Sequence, residues 1–123
     1  MSALTWLLVA LAGGAGAVAR LGAGEWVTRR APRDFPWGTF AVNQAGACAL
    51  GALVGAGPSA RMAVVAGAGF LGAFTTFSTW MLEADRLDEA RRPGAAGAYV
   101  VLSVVAGVAA FLIGRAATGG TLF

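Results

Sequence analysis

Four stretches of this chain carry no charged residue, and their lengths decide what it can fold into. They are Met1–Ala19, Phe35–Ser59, Met62–Leu82 and Pro93–Gly114. A helix rising about 1.5 Å per residue needs roughly 20 apolar residues to cross a hydrocarbon core of about 30 Å. The four runs therefore predict four transmembrane helices, over about 4–27, 37–57, 62–82 and 95–114, and little of the 123 residues is left for anything else. Only 12% of the chain is charged, about half of what a soluble domain carries. The fold class read from this is all-α: an integral membrane protein with one domain, 1–123, of four helices. The first run has no basic leader and outlasts a signal-peptide core, so it reads as a helix, not a targeting segment. Trp6 and Trp26 stand near its two ends, where indoles suit the membrane–water interfaces.

The same composition excludes several function classes. There is no His and no Lys, and the single cysteine, Cys48, lies inside the second run. An intrachain disulfide and a Cys/His metal site are both out of reach, and Cys48 reads as a small buried apolar residue. No nucleophile has a base nearby, so an enzyme is not expected. The nine arginines mostly flank the uncharged runs, so the basic excess is read as membrane capping, with no nucleic-acid partner.

Small residues recur every fourth position: Ala47, Gly51 and Gly55 in the second run, Ala106, Ala110 and Gly114 in the fourth, beside "GGAGA" at Gly13–Ala17. In lipid, close backbone approach is a main source of helix association, so tight packing is expected, although Ala and Gly are abundant throughout. Four short helices enclose too little for a wide pore, which points to a functional unit of two or more copies.

Polar groups at membrane depth are costly and mark protein- or water-facing positions. Arg20 lies about two turns inside the first helix; it either snorkels to the interface or sets a fixed positive charge at the mouth of an anion path, with Glu25 or Glu83 able to pair with it. Asn43 and Gln44 need hydrogen-bond partners, within a helix pair or along a path. Tyr99 and Ser103, four apart, share one face. The third run holds "GFLGAFTTFSTW", Gly69–Trp80, where Gly67, Gly69 and Gly72 precede four hydroxyls and three aromatic rings. Glycines weaken a helix, and a break at depth is tolerated only where freed backbone groups meet protein or water. Such breaks present carbonyls to cations and helix N-termini to anions. Phe77 and Trp80 could turn their positive ring edges to an anion, or could simply form a core stripe.

Together "GGAGAVAR" (Gly13–Arg20), "PWGTFAVNQAGA" (Pro36–Ala47) and "GFLGAFTTFSTWMLE" (Gly69–Glu83) resemble the CrcB, or Fluc, fluoride channel family, and the resemblance covers most of the chain. It implies a dual-topology dimer of two antiparallel chains, with two narrow fluoride pores between them. It implies that the third helix is broken and that carbonyls of Gly72 and Thr75 hold a structural Na+ ion. It assigns Phe77 and Trp80 to the family's pair of pore phenylalanines, Asn43 to its pore asparagine, Tyr99 and Ser103 to its polar track, and Arg20 to its vestibule arginine. Thr39, Asn43, Tyr99 and Ser103 offer neutral donors, which suit a strongly hydrated anion that must also leave. The implied function is passive export of fluoride across the cell membrane, lowering its toxicity. Two positions depart from the pattern: Trp80 replaces a phenylalanine, and Gly107 stands where a further hydroxyl is usual.

Arginine placement adds an expectation about orientation. Arg29, Arg30, Arg33, Arg86, Arg91 and Arg92 flank one membrane face, Arg61 and Arg115 the other. That bias predicts both termini outside. A chain of fixed orientation cannot pair antiparallel with itself, so an oppositely oriented homologue is the alternative to a second copy. Two other functions are weighed: a proton-coupled exporter of the small multidrug resistance type, which requires a carboxylate buried in the first helix, and a non-conducting partner subunit.

Overall fold

The computed structural model describes residues 1–90 and 93–119 and is helical, with no strand among them. Helix α1, Ala3–Arg30, opens on Ser2, whose Oγ accepts from the Thr5 amide at 3.2 Å; an oxygen here satisfies a donor the helix itself cannot. It runs three residues beyond the expected end at Val27. Arg29 and Arg30 occupy its last turn, where cations complement the helix dipole. Arg29 pairs with Glu25 one turn back at 3.5 Å, and the Arg30 guanidinium lies 4.2 Å from the centre of the Trp26 ring. Pro32 and an extended Ala31 then end it.

Helix α2, Trp37–Gly55, gives way to a turn in which Gly57 takes φ +63°, a left-handed conformation that glycine adopts without strain. Ser59 Oγ accepts from the Met62 amide at 3.2 Å and starts helix α3, residues 60–74. Its central stretch, Ala63–Leu71, is wound as a π-helix, and one more α-turn, Gly72–Phe74, completes it. Thr75 is extended (φ −86°, ψ 163°), and helix α4 begins at Ser78 and ends at Glu89. The charged segment from Glu83 to Glu89, expected as a loop, is thus helical. Arg91 and Arg92, counted in the orientation argument, lie outside the described residues, as does the tail from 120. Helix α5, Pro93–Ala117, outlasts its expected end at Gly114.

Two pairings build the molecule: α2 against α5, and α1 against α3. Both work by omitting side chains. A Cβ on Gly51 would overlap the Phe111 carbonyl, and one on Gly114 the Cys48 carbonyl. On the other pair, a Cβ on Gly16 would overlap the Phe70 carbonyl. Backbones in such contact gain dispersion energy that apolar solvent cannot supply. Thr118 Oγ1 adds a bond to the Ala52 carbonyl at 2.8 Å, pinning the end of α5 to α2.

Three segments, Ala3–Arg30, Ala60–Asp88 and Gly94–Ala117, are long and apolar enough to cross a membrane. Helix α2 is not among them: Asn43, Gln44, Trp37 and four glycines lower the hydropathy of its 19 residues. Only 11%, 6% and 6% of the most apolar stretches of those segments are buried within the chain. Their remaining surface, including Leu4, Leu7, Leu11, Val105 and Ile113, needs lipid or more protein to cover it.

Candidate functional site

Of the polar residues singled out in the sequence, Asn43 and Thr75 meet at the junction between α3 and α4. Leaving the helix at Thr75 strands backbone groups that must find other partners. The Asn43 side chain, reaching across from α2, takes both polar groups of one residue: Nδ2 donates to the Thr76 carbonyl at 3.0 Å, and Oδ1 accepts from the Thr76 amide at 2.9 Å. Thr75 turns its hydroxyl back to the Leu71 carbonyl at 3.0 Å. Thr76 Oγ1 accepts from the Thr79 amide at 3.3 Å and caps the start of α4. An unbroken helix would direct the Thr76 and Thr79 amides at the carbonyls of Gly72 and Thr75. Here both amides serve other acceptors, so neither is given to the Gly72 or the Thr75 carbonyl.

A second cluster surrounds Glu83. Thr39 Oγ1 donates to its Oε1 at 2.8 Å and Tyr99 Oη to its Oε2 at 3.2 Å, joining α2, α4 and α5. Tyr99 is fully buried, with the edge of its ring against Phe35 at 5.1 Å between centroids. One turn on, Ser103 donates to the Tyr99 carbonyl at 2.6 Å. A hydroxyl has one proton to give, so Thr39, Tyr99 and Ser103, expected as donors to a passing anion, are all committed within the chain. Gln44 Nε2 donates to the Ser103 carbonyl at 3.2 Å, while its Oε1 is buried without a partner, 3.6 Å from where a Cβ on Gly107 would stand.

Arg20 does not pair with either expected carboxylate: Glu25 holds Arg29, and Glu83 holds the two hydroxyls. Its Nε is buried and unpartnered. Arg20 lines a cavity of about 500 Å³ together with Thr39, Thr76, Thr79 and the Glu25–Arg29 pair. Thr76 also lines a groove of about 380 Å³, shared with Asn43, Gly72, Thr75, Phe77 and Trp80. Phe77 is 70% exposed there and meets the Trp80 ring edge-on, 5.7 Å between centroids at 75°. A third cavity, of about 480 Å³, opens beside Thr39 and Glu83 between Arg33 and Arg86. Sequence reasoning named Glu83 only as a partner for Arg20. Its two hydroxyl donors lie 44 and 16 residues away, beyond any local spacing rule.

The model of the CrcB-like protein family, described as Camphor Resistance (CrcB), matches residues 7–115. The chain belongs to the CrcB family. Among CrcB relatives, the protein named fluoride-specific ion channel FluC 2 of Mycolicibacterium paratuberculosis is 53% identical over 110 residues, covering 89% of this chain and 90% of its own. FluC 1 of Symbiobacterium thermophilum is 52% identical over 122 residues, covering 92% and 96%, and FluC 1 of Rubrobacter xylanophilus is 43% identical over 111 residues. These relatives are named ion channels and not enzymes. With three membrane-length apolar segments, this CrcB chain is a membrane protein.

Proposed function

We propose that the chain forms a fluoride-specific channel that lets fluoride leave the cell passively across the cell membrane, lowering its toxicity inside. One observation carries the reading beyond the relatives' names: Thr76, beside the helix interruption, lines both the Arg20 cavity and the Phe77–Trp80 groove. A cation with an unpartnered donor can draw an anion into the Arg20 cavity. In the groove stand neutral polar side chains and ring edges, which bind more weakly and permit release. No carboxylate lines the groove to repel an anion.

The groove is open in one chain, so the proposed conduit is completed by a second chain laid antiparallel, either another copy or an oppositely oriented homologue. In this assembly α2 is the fourth membrane-crossing helix. The carbonyls of Gly72 and Thr75, which the Thr76 and Thr79 amides leave to other donors, would suit a small hard cation, which favours oxygen ligands, and no cluster of three or more His, Cys, Asp or Glu occurs among the described residues. Those carbonyls would hold a structural Na+ ion, which when bound supplies positive charge beside the anion route. The exporter alternative is less well supported, since Glu25, the only carboxylate in α1, is exposed and already paired with Arg29.

The test is ion efflux from liposomes carrying the purified protein. Rapid fluoride release with no chloride release under the same gradient is expected; equal release of both ions, or none of fluoride, would overturn the proposal.

A further inference from the structure

Two arginines from distant parts of the chain line one cavity. Arg33 stands in the loop between α1 and α2 and Arg86 on α4, and both belong to the wall of the cavity of about 480 Å³ beside Glu83. Both residues are exposed, and among the described residues neither side chain has an ion pair or a hydrogen bond. The carboxylates of the same wall are already engaged: Glu83 accepts from Thr39 and Tyr99, and Asp34 has a partner of its own. A guanidinium carries five N–H donors in a fixed fork and no acceptor, so this cavity has a surplus of cationic donors. Its depth is fixed by the helices around it. Helix α1 ends at Arg30, α2 starts at Trp37, and the apolar run that enters α4 stops at Glu83. Phe35 and Trp37, with ring centroids 4.5 Å apart, share the wall, and aromatic rings gather at the level of lipid head groups.

We propose that this cavity binds a phosphate group, supplied by the head group of an acidic membrane lipid and held by Arg33 and Arg86. Guanidinium forks match phosphate oxygens two at a time, and basic pockets between membrane helices take anionic head groups. The Phe35 and Trp37 rings and Leu87 give the lipid's glycerol and first acyl carbons an apolar wall. A zwitterionic lipid offers the same phosphate but carries its own cation, which meets two arginines already lacking counter-charges. An acidic lipid brings no such cation. A bound head group ties the α1–α2 loop to α4, so its occupancy stabilises the folded chain. The inference needs only a membrane-spanning chain and stands apart from the fluoride route.

The test is a series of thermal melts of the purified full chain in a neutral detergent. Dioctanoyl phosphatidylglycerol is expected to raise the midpoint saturably. Dioctanoyl phosphatidylcholine, with the same acyl chains, and inorganic phosphate are expected to leave it in place at the same concentrations. Arg33→Gln and Arg86→Gln should each raise the half-saturating phosphatidylglycerol concentration about tenfold, the loss of hydrogen bonding to a charged group. Neither side chain bonds to another described residue, so both variants keep the fold. Arg61→Gln, on the opposite membrane face, should respond like wild type. A midpoint that ignores phosphatidylglycerol, or follows phosphatidylcholine equally, overturns the inference. Unchanged half-saturation in Arg33→Gln and Arg86→Gln overturns it too, as does equal weakening in Arg61→Gln. A full shift with inorganic phosphate alone overturns the lipid as the source and makes the cavity a site for free phosphate.

Discussion

Asn43 spends neither end of its amide on solvent: one end donates to Thr76 and the other accepts from it. Asn43→Ala would leave a backbone donor and a backbone acceptor without partners at the interruption, a loss of about 2–4 kcal/mol. A thermal melt in detergent should show a clearly lower midpoint; an unchanged midpoint would mean that the clasp contributes nothing. Gly107→Ser should act in the other direction. A hydroxyl at that position is within reach of the buried Gln44 Oε1, and serine also forms helix better than glycine, so about 0.5–1.5 kcal/mol of added stability is expected in the same assay. At this scale the sequence singled out polar residues at membrane depth but not what each one bonds. Spacing of four put Tyr99 and Ser103 on one face. It could not reveal that Ser103 donates to the Tyr99 backbone or that Tyr99 reaches Glu83, because those choices depend on what the facing helix offers.

Helices are easier to read than their partners. Three of the runs free of charge overlap the three described segments that are long and apolar enough to cross a membrane, since membrane length and the absence of charge are properties of one segment alone. Ends were less legible: α1 continues through Arg29 and Arg30, where the Arg29–Glu25 pair and the helix dipole extend it into charged sequence, and α4 continues to Glu89 with Arg86 in its last turn. The glycine pattern predicted close packing, but only the folded chain separates glycines in contact from glycines left open. Gly51 faces the Phe111 carbonyl, so Gly51→Val forces α2 away from α5 and should cost at least ~1–3 kcal/mol. Gly22 has nothing within 4 Å in the single chain. Gly22→Ala should therefore leave the chain's own fold intact or stabilise it by up to about 1 kcal/mol. Size-exclusion profiles and melts of the two variants distinguish these outcomes; equal damage from both would show that Gly22 is also covered.

At the scale of the whole molecule, family membership was the most legible property, because the motifs that carry it fall in three separate runs of one short chain. Assembly was not, since one chain's sequence lists its surfaces without saying which of them meet. The proposed two-chain assembly makes a prediction about orientation. With Arg29, Arg30, Arg33 and Arg86 on one face and Arg61 and Arg115 on the other, reporters fused to the C-terminus of the chain expressed alone should place that end outside. Signal from both orientations would remove the case for an oppositely oriented homologue and favour pairing with a second copy.

The central claim is that fluoride passes along the groove beside the helix interruption, and Phe77→Ile tests it most directly. The Phe77 side chain is mostly exposed in the single chain, so its loss leaves the fold of that chain undisturbed while removing a ring from the groove. Fluoride efflux from liposomes carrying the folded Phe77→Ile protein should fall about tenfold or more below wild type, the effect of losing roughly 1.4 kcal/mol of interaction with the passing ion. Efflux at the wild-type rate would contradict the account and put the fluoride route elsewhere.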